Sequence, residues 1–107
     1  YRVAELGLNF VFTDMHAYYH LASFYTDLAD LNKIDWALLQ QRDFKRDTND
    51  LLKFERYQAE ALIHQTCPVE ALEGVVCYNE AVKQQLEVHL NQQHSLKIIT
   101  RPNWYLQ

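Results

Sequence analysis

Apolar and polar positions alternate early in the chain at Leu8-Asn9-Phe10-Val11-Phe12, where Leu8, Phe10 and Phe12 share one side of an extended backbone. The run predicts a strand. Thr13 or Asp14 then supplies a short side-chain oxygen for the free N–H groups of a first helical turn. Beyond it Ala17, Leu21, Phe24 and Leu28 recur at four- and three-residue steps, which predicts a helix with one apolar stripe. Asn32 together with Asp35 opens a second, short helix through Trp36, Leu38 and Leu39.

Between Arg42 and Tyr57 the pattern dissolves into charges of both signs. The first half of this stretch reads as an exposed loop, and Leu51 to Tyr57 as one or two helical turns. Gln58 to His64 is open between helix, which its alanines favour, and strand, which Leu62-Ile63 favours. Pro68 to Leu72 predicts a short helix with proline at its first position. Val75-Val76-Cys77-Tyr78 is a compact β-type run. Asn79 caps a last amphipathic helix with Val82, Leu86 and Leu90 on one side, and Leu96 to Ile99 forms a final strand. The elements are few and mixed, an α+β pattern in one small domain.

Composition narrows the picture. The 107 residues are 49% hydrophobic and 13% aromatic, enough for a packed core rather than a disordered chain. A formal charge of −4 gives no overall basic field, so any nucleic-acid contact needs a local patch. No apolar run approaches the roughly 18 residues of a membrane span. The opening Tyr1-Arg2-Val3-Ala4-Glu5 has no signal-peptide layout, and a first residue other than Met suggests a processed or shortened piece. Cys67 and Cys77 lack CxxC spacing and read as two free, partly buried thiols in a reducing cytoplasm.

Phosphate-cradling glycine motifs, the nucleophile-elbow serine and paired CxxC clusters are all absent. His16 and His20 are four apart beside Asp14, but no HExxH pattern or further ligand accompanies them; no metal is expected, and they read as a helix start with two polar-face histidines. His89 and His94 read as solvated surface. If Gln58 to His64 is a strand, Gln58 and Glu60 project from one face, directly after a basic, loop-like segment. In that segment Arg42, Lys45, Arg46, Lys53 and Arg56 could hold phosphates, and Phe44, Phe54 and Tyr57 could stack on an unpaired base. Taken alone, the mixed charges favour the plainer reading, a solvated loop with a few aromatics folded inward.

Several segments, in order, resemble the DarT family. They are Phe12-Thr13-Asp14-Met15-His16-Ala17, Phe24 to Leu31, and Ile34-Asp35-Trp36. They continue with Arg56-Tyr57-Gln58-Ala59-Glu60-Ala61-Leu62-Ile63-His64, Pro68 to Leu72, Tyr78-Asn79-Glu80, and the terminal Arg101-Pro102-Asn103-Trp104-Tyr105. The likeness covers nearly the whole chain, and its specificity lies in the joint presence of these motifs.

The resemblance implies an ADP-ribosyltransferase-like split β-sandwich with flanking helices, incomplete at its N-terminal side, with residues 1–107 the C-terminal part of a single domain. It places Glu60 on the catalytic glutamate and makes Asp43 to Tyr57 the substrate-recognition loop. It implies a cytoplasmic toxin that uses NAD to attach ADP-ribose to thymine or guanine in single-stranded DNA, restrained by a macrodomain antitoxin, DarG. Cofactor contacts are expected mainly upstream of this chain. Substrate or DNA contacts are expected from His16, Arg42, Lys45, Arg46, Arg56 and Tyr57. The alternative is a truncated, catalytically inactive relative that binds DNA or a protein.

Overall fold

The computed structural model describes residues 1–90 and 96–105. They form two compact units, one of residues 3–66 with Tyr1, the other of the described residues from Cys67 onward with Arg2. Helices and strands mix in both, as the α+β pattern requires.

The first unit is built on an antiparallel sheet of three strands in the order β2-β1-β3. β1 is Phe10–Thr13, β2 is Phe24–Tyr25 and β3 is Ala61–Ile63. Phe12 faces Tyr25 on one side and Ala61 on the other, and Phe10 faces Ile63. Side-chain alternation puts Phe10 and Phe12 on one face, as the period-two pattern predicts, with their rings 6.4 Å apart. The Phe12 ring also stacks on Tyr25 at 5.6 Å. Leu8 falls outside the strand, which starts two residues later and runs on through Thr13.

A four-residue α1 (Arg2–Glu5) precedes the sheet. Gly7 follows with φ +70, a left-handed turn that glycine adopts without steric penalty. After β2 comes a 3₁₀ helix, Leu28–Lys33, capped by Asp27, whose carboxylate accepts from Ala29 N–H at 2.9 Å. Asp35 then caps α2 (Trp36–Gln41), accepting from Leu38 N–H at 3.0 Å. Asn32 lies within the 3₁₀ helix and takes no part in that cap. Ile34 and Leu38 join Phe12 in the buried core. α3 (Lys53–Tyr57) is shorter than the predicted Leu51 start, and Gln58 is its C-cap.

The predicted helix after Thr13 does not form. Residues 14–23 are a loop joining β1 to β2, and Phe24 pairs with Thr13 in the sheet. Its N–H groups find partners that a helix would not supply. Ser23 N–H donates to Asp14 Oδ1 at 2.9 Å and Tyr18 N–H to His16 Nδ1 at 3.0 Å. His16 N–H donates to the Glu55 carbonyl at 2.9 Å and Ala17 N–H to Glu60 Oε1 at 3.1 Å. Bonds to Glu55 and Glu60, far along the chain, thus override the helical spacing of Ala17, Leu21, Phe24 and Leu28. The strand alternative holds for Gln58–His64, but only across β3, so Gln58 and Glu60 share no strand face.

In the second unit β4 (Gly74–Cys77) and β5 (Lys97–Thr100) pair in parallel. Between them in sequence lies α4 (Glu80–Leu90), the intervening helix such a pair requires. Asn79 opens α4, its Oδ1 accepting from Val82 N–H at 2.9 Å. Gly74 is demanded by packing: a Cβ there would lie 2.6 Å from the Lys97 carbonyl oxygen. Pro68 precedes a single 3₁₀ turn, Val69–Ala71, instead of an α-helix. The chain closes through Tyr105, whose hydroxyl donates to the Val76 carbonyl at 2.6 Å while its ring meets Tyr78 edge-on at 5.6 Å. Cys77 is buried, but Cys67, expected to be partly buried, is exposed; both are free thiols. His89 is exposed, and His94 lies outside the described residues. Among the described residues no helix is long and apolar enough to cross a membrane.

Candidate active site

Glu60 sits immediately before β3, where the antiparallel ladder with β1 ends. Its main chain is tied to Thr13, which is fully buried. Thr13 N–H donates to the Glu60 carbonyl at 2.9 Å, and Glu60 N–H donates to the Thr13 hydroxyl at 3.2 Å. Its carboxylate reaches the 14–23 loop, where Oε1 accepts the Ala17 N–H at 3.1 Å. Among the described residues Oε2 has no hydrogen-bond partner, so one oxygen is fixed and the other remains available. A half-buried carboxylate held this way is pre-oriented as well as charged.

His16 precedes Ala17 and belongs to the same neighbourhood. Its main-chain N–H is bonded to Glu55 in α3. Because Nδ1 accepts from Tyr18 N–H, the proton of the neutral ring is on Nε2, which can donate. His20 is exposed, its ring against Tyr19 at 4.7 Å, and Asp14 is engaged by Ser23. Among the described residues no three His, Cys, Asp or Glu side chains gather in metal-binding fashion.

The segment expected to recognise substrate has an internal scaffold. Lys53 is turned inward, with its side chain only 8% exposed. Its ammonium donates to Asp43 Oδ2 at 3.1 Å and to the Lys45 carbonyl at 2.7 Å. Three residues on, Arg56 donates from Nη1 to Asp50 Oδ1 at 2.8 Å, from Nη2 to Asp50 Oδ2, and from Nε to Asp35 Oδ2 at 3.1 Å. The spacing puts both cations on one side of α3, gripping the loop before it and the start of α2. The Tyr57 hydroxyl accepts the Asp43 N–H at 2.9 Å, and its ring meets Phe44 at 4.9 Å.

These contacts set the charge state of the loop. Asp43 is held below the ordinary carboxylate range, first by the Lys45 N–H and then by the Lys53 ammonium. Asp50 is lowered chiefly by its hydrogen bond to Arg56, and that bond raises Arg56 in turn.

Of the site residues expected from sequence, the structure brings Glu60 and His16 together through the 14–23 loop. Arg56 and Tyr57 are internal fasteners of the 43–57 segment, and so is Lys53. Lys45 and Arg46 are exposed, Arg46 lying over the Phe54 ring at 5.8 Å. Arg42 is an exposed residue in left-handed conformation at the C-terminus of α2. Sequence reasoning missed Thr13 and the Ala17 N–H, the two groups that hold Glu60. No local signal exists for either, because both lie more than forty residues away in sequence.

Comparison with known proteins places the chain and its fold among DNA ADP-ribosyl transferases of similar sequence. The chain is 53% identical over 104 residues to a DNA ADP-ribosyl transferase of Escherichia coli O127:H6 (strain E2348/69 / EPEC), covering 96% of this chain and 48% of that protein. It is 30% identical over 106 residues to a DNA ADP-ribosyl transferase of Thermus sp. (strain 2.9), covering 96% and 49%. Among solved structures it superposes on Thermus sp. 2.9 DarT in complex with carba-NAD+ with a TM-score of 0.88 at 27% identity, covering 98% of this chain and 54% of that one. The same protein in complex with ADP-ribosylated ssDNA gives 0.88 at 27%, covering 98% and 50%. The chain thus spans about half the length of the relatives it matches, and its fold is the corresponding part of the ADP-ribosyltransferase-like fold. Residues 1–106 match the family described as "ssDNA thymidine ADP-ribosyltransferase, DarT", and the chain belongs to that family.

Proposed function

We propose that the protein containing this chain transfers ADP-ribose from NAD to a base, thymine or guanine, of single-stranded DNA, with Glu60 as its catalytic residue. The observation that carries this reading is the anchored Glu60 carboxylate, with Oε1 on the Ala17 N–H and Oε2 available, in a chain of this family. Solved relatives in complex with NAD+ and with ADP-ribosylated ssDNA support the choice of substrates.

NAD supplies an ADP-ribosyl group whose bond to nicotinamide breaks with the electron pair leaving on nicotinamide. Glu60 offers fixed negative charge where positive charge develops on the ribose, and pre-orientation makes that stabilisation effective. Its available oxygen can also take the proton from the base nitrogen as that nitrogen bonds to the ribose carbon. His16 directly precedes Ala17, the residue that holds the carboxylate, and presents an Nε2 donor. Lys45, Arg46 and Arg42 supply positive charge for DNA phosphates, and Phe44 and Phe54 supply faces on which an unpaired base can stack. Arg56 and Tyr57 serve DNA recognition by holding the 43–57 loop in shape. NAD contacts are assigned mainly to the part of the family domain outside this chain, and residues 1–107 to the C-terminal part of one catalytic domain. We assign the protein the role of a cytoplasmic toxin paired with a DarG-like macrodomain antitoxin.

The test is transfer of labelled ADP-ribose from NAD to single-stranded oligonucleotides by the protein at its natural length, beside Glu60→Ala. Label that appears on DNA and is lost with Glu60 supports the reading and identifies the base. Folded protein that binds oligonucleotide but leaves NAD intact would replace it with an inactive binding module.

A further inference from the structure

Thr13 and Glu60 meet where the β1–β3 ladder stops. The last regular partners are Phe12 and Ala61, so Thr13 and Glu60 form the next antiparallel pair. One half of that pair is ordinary: Thr13 N–H donates to the Glu60 carbonyl at 2.9 Å. The other half is not, because Glu60 N–H donates to the Thr13 hydroxyl oxygen at 3.2 Å. The hydroxyl proton is directed to the Met15 carbonyl, with the Glu60 carbonyl 3.4 Å from the same oxygen. A side chain thus captures the N–H at the point where the ladder ends. The bond to Met15 joins the capture to the 14–23 loop, whose Ala17 N–H grips the Glu60 carboxylate.

We propose that Thr13 is a positioning residue for Glu60. Its hydroxyl fixes the main chain of Glu60 and the start of the 14–23 loop together, so the carboxylate and its Ala17 donor are set by one buried group. The geometry is specific to a hydroxyl. Valine has the same shape and fills the buried Thr13 position, but would leave the part-buried Glu60 N–H without its acceptor. Serine keeps both the donor and the acceptor. The proposal rests on Glu60 being the catalytic carboxylate, and the hydroxyl acts only through it.

The experiment measures kcat and KM for NAD in transfer to a single-stranded oligonucleotide, using the protein at its natural length. Thr13→Val, Thr13→Ser and Thr13→Cys are compared with the parent and with Glu60→Ala, each checked for folding by circular dichroism. Thr13→Val is expected to lower kcat by roughly tenfold to a hundredfold, the scale of a small displacement of a reacting group, with little change in KM. Thr13→Ser is expected to restore kcat nearly to the parent value. Parent-level kcat in Thr13→Val, or no recovery in folded Thr13→Ser, overturns the proposal if Glu60→Ala is inactive. Should Glu60→Ala keep its activity, the assignment of Glu60 itself fails. Thr13→Cys covers the case in which valine prevents folding: it keeps the size but is a weaker acceptor, so a lowered kcat supports the proposal and a parent-level kcat overturns it.

Discussion

The Lys53 ammonium donates to Asp43 at 3.1 Å from inside the protein, while the Asp43 side chain is half exposed. A second bond, to the Lys45 carbonyl at 2.7 Å, makes the lysine a pin beneath the turn that opens the 43–57 segment. Lys53→Met keeps most of the stem's packing but removes both bonds, leaving the Lys45 carbonyl to find water. The expected loss is about 1–3 kcal/mol of unfolding free energy, with faster protease cleavage within residues 43–50. Urea unfolding and limited proteolysis check it, and unchanged behaviour in both would remove the pin.

Arg56 makes a two-pronged contact with Asp50 and a third bond to Asp35, which also caps α2. Lysine carries the same charge but presents a point donor that cannot span two carboxylates in this way. Arg56→Lys is therefore expected to destabilise the protein by about 1–2 kcal/mol. A double-mutant cycle with Asp50→Asn should return a clear coupling energy. If the single changes simply add, the bidentate pair contributes nothing to stability.

Local determinants were legible in the sequence. The Asp35 and Asn79 caps, α2 and α4 each depend on neighbouring residues, β4 and β5 show as compact apolar runs, and each formed close to its expected limits. The helix expected after Thr13 failed for the opposite reason: two of the groups that settle residues 14–23 are the Glu55 carbonyl and the Glu60 carboxylate, far along the chain. Spacing alone placed Glu60 among many surface glutamates, and only the order of surrounding motifs singled it out. The cations of 42–57 looked alike in sequence, yet Lys53 and Arg56 are drawn inward by Asp43, Asp50 and Asp35 while Lys45 and Arg46 stay exposed. That sorting depends on which face of α3 packs, which a mixed-charge run does not reveal.

The same carboxylates predict how the loop responds to acid. Asp43 is lowered by the Lys45 N–H and the Lys53 ammonium, and Asp50 by Arg56. A group whose folded value is depressed binds fewer protons folded than unfolded. Its contribution is therefore present above the unfolded value and lost as pH falls through the folded one. Protection of the 43–50 amides against hydrogen exchange should hold from pH 7 down to pH 5, once corrected for intrinsic rates, and fall below about pH 4. Asp43→Asn with Asp50→Asn should weaken protection at neutral pH and flatten this response. A loss centred near pH 6 would point to histidine instead.

Exposed and inward cations should separate cleanly in DNA binding. Each phosphate contact to a single strand contributes about 0.7 to the slope of log affinity against log salt. Lys45→Ala and Arg46→Ala are each expected to reduce that slope by about this amount and to leave stability nearly unchanged. Arg46→Ala also removes the cation over Phe54. Arg56→Ala should instead lower stability and weaken binding with little change of slope, since its charge is already matched by Asp50 and Asp35. Oligonucleotide titrations at several salt concentrations distinguish the two patterns. If Arg56→Ala flattens the slope as much as Arg46→Ala, then Arg56 leaves its carboxylates when DNA binds, and the loop is remade by its substrate instead of being held ready for it.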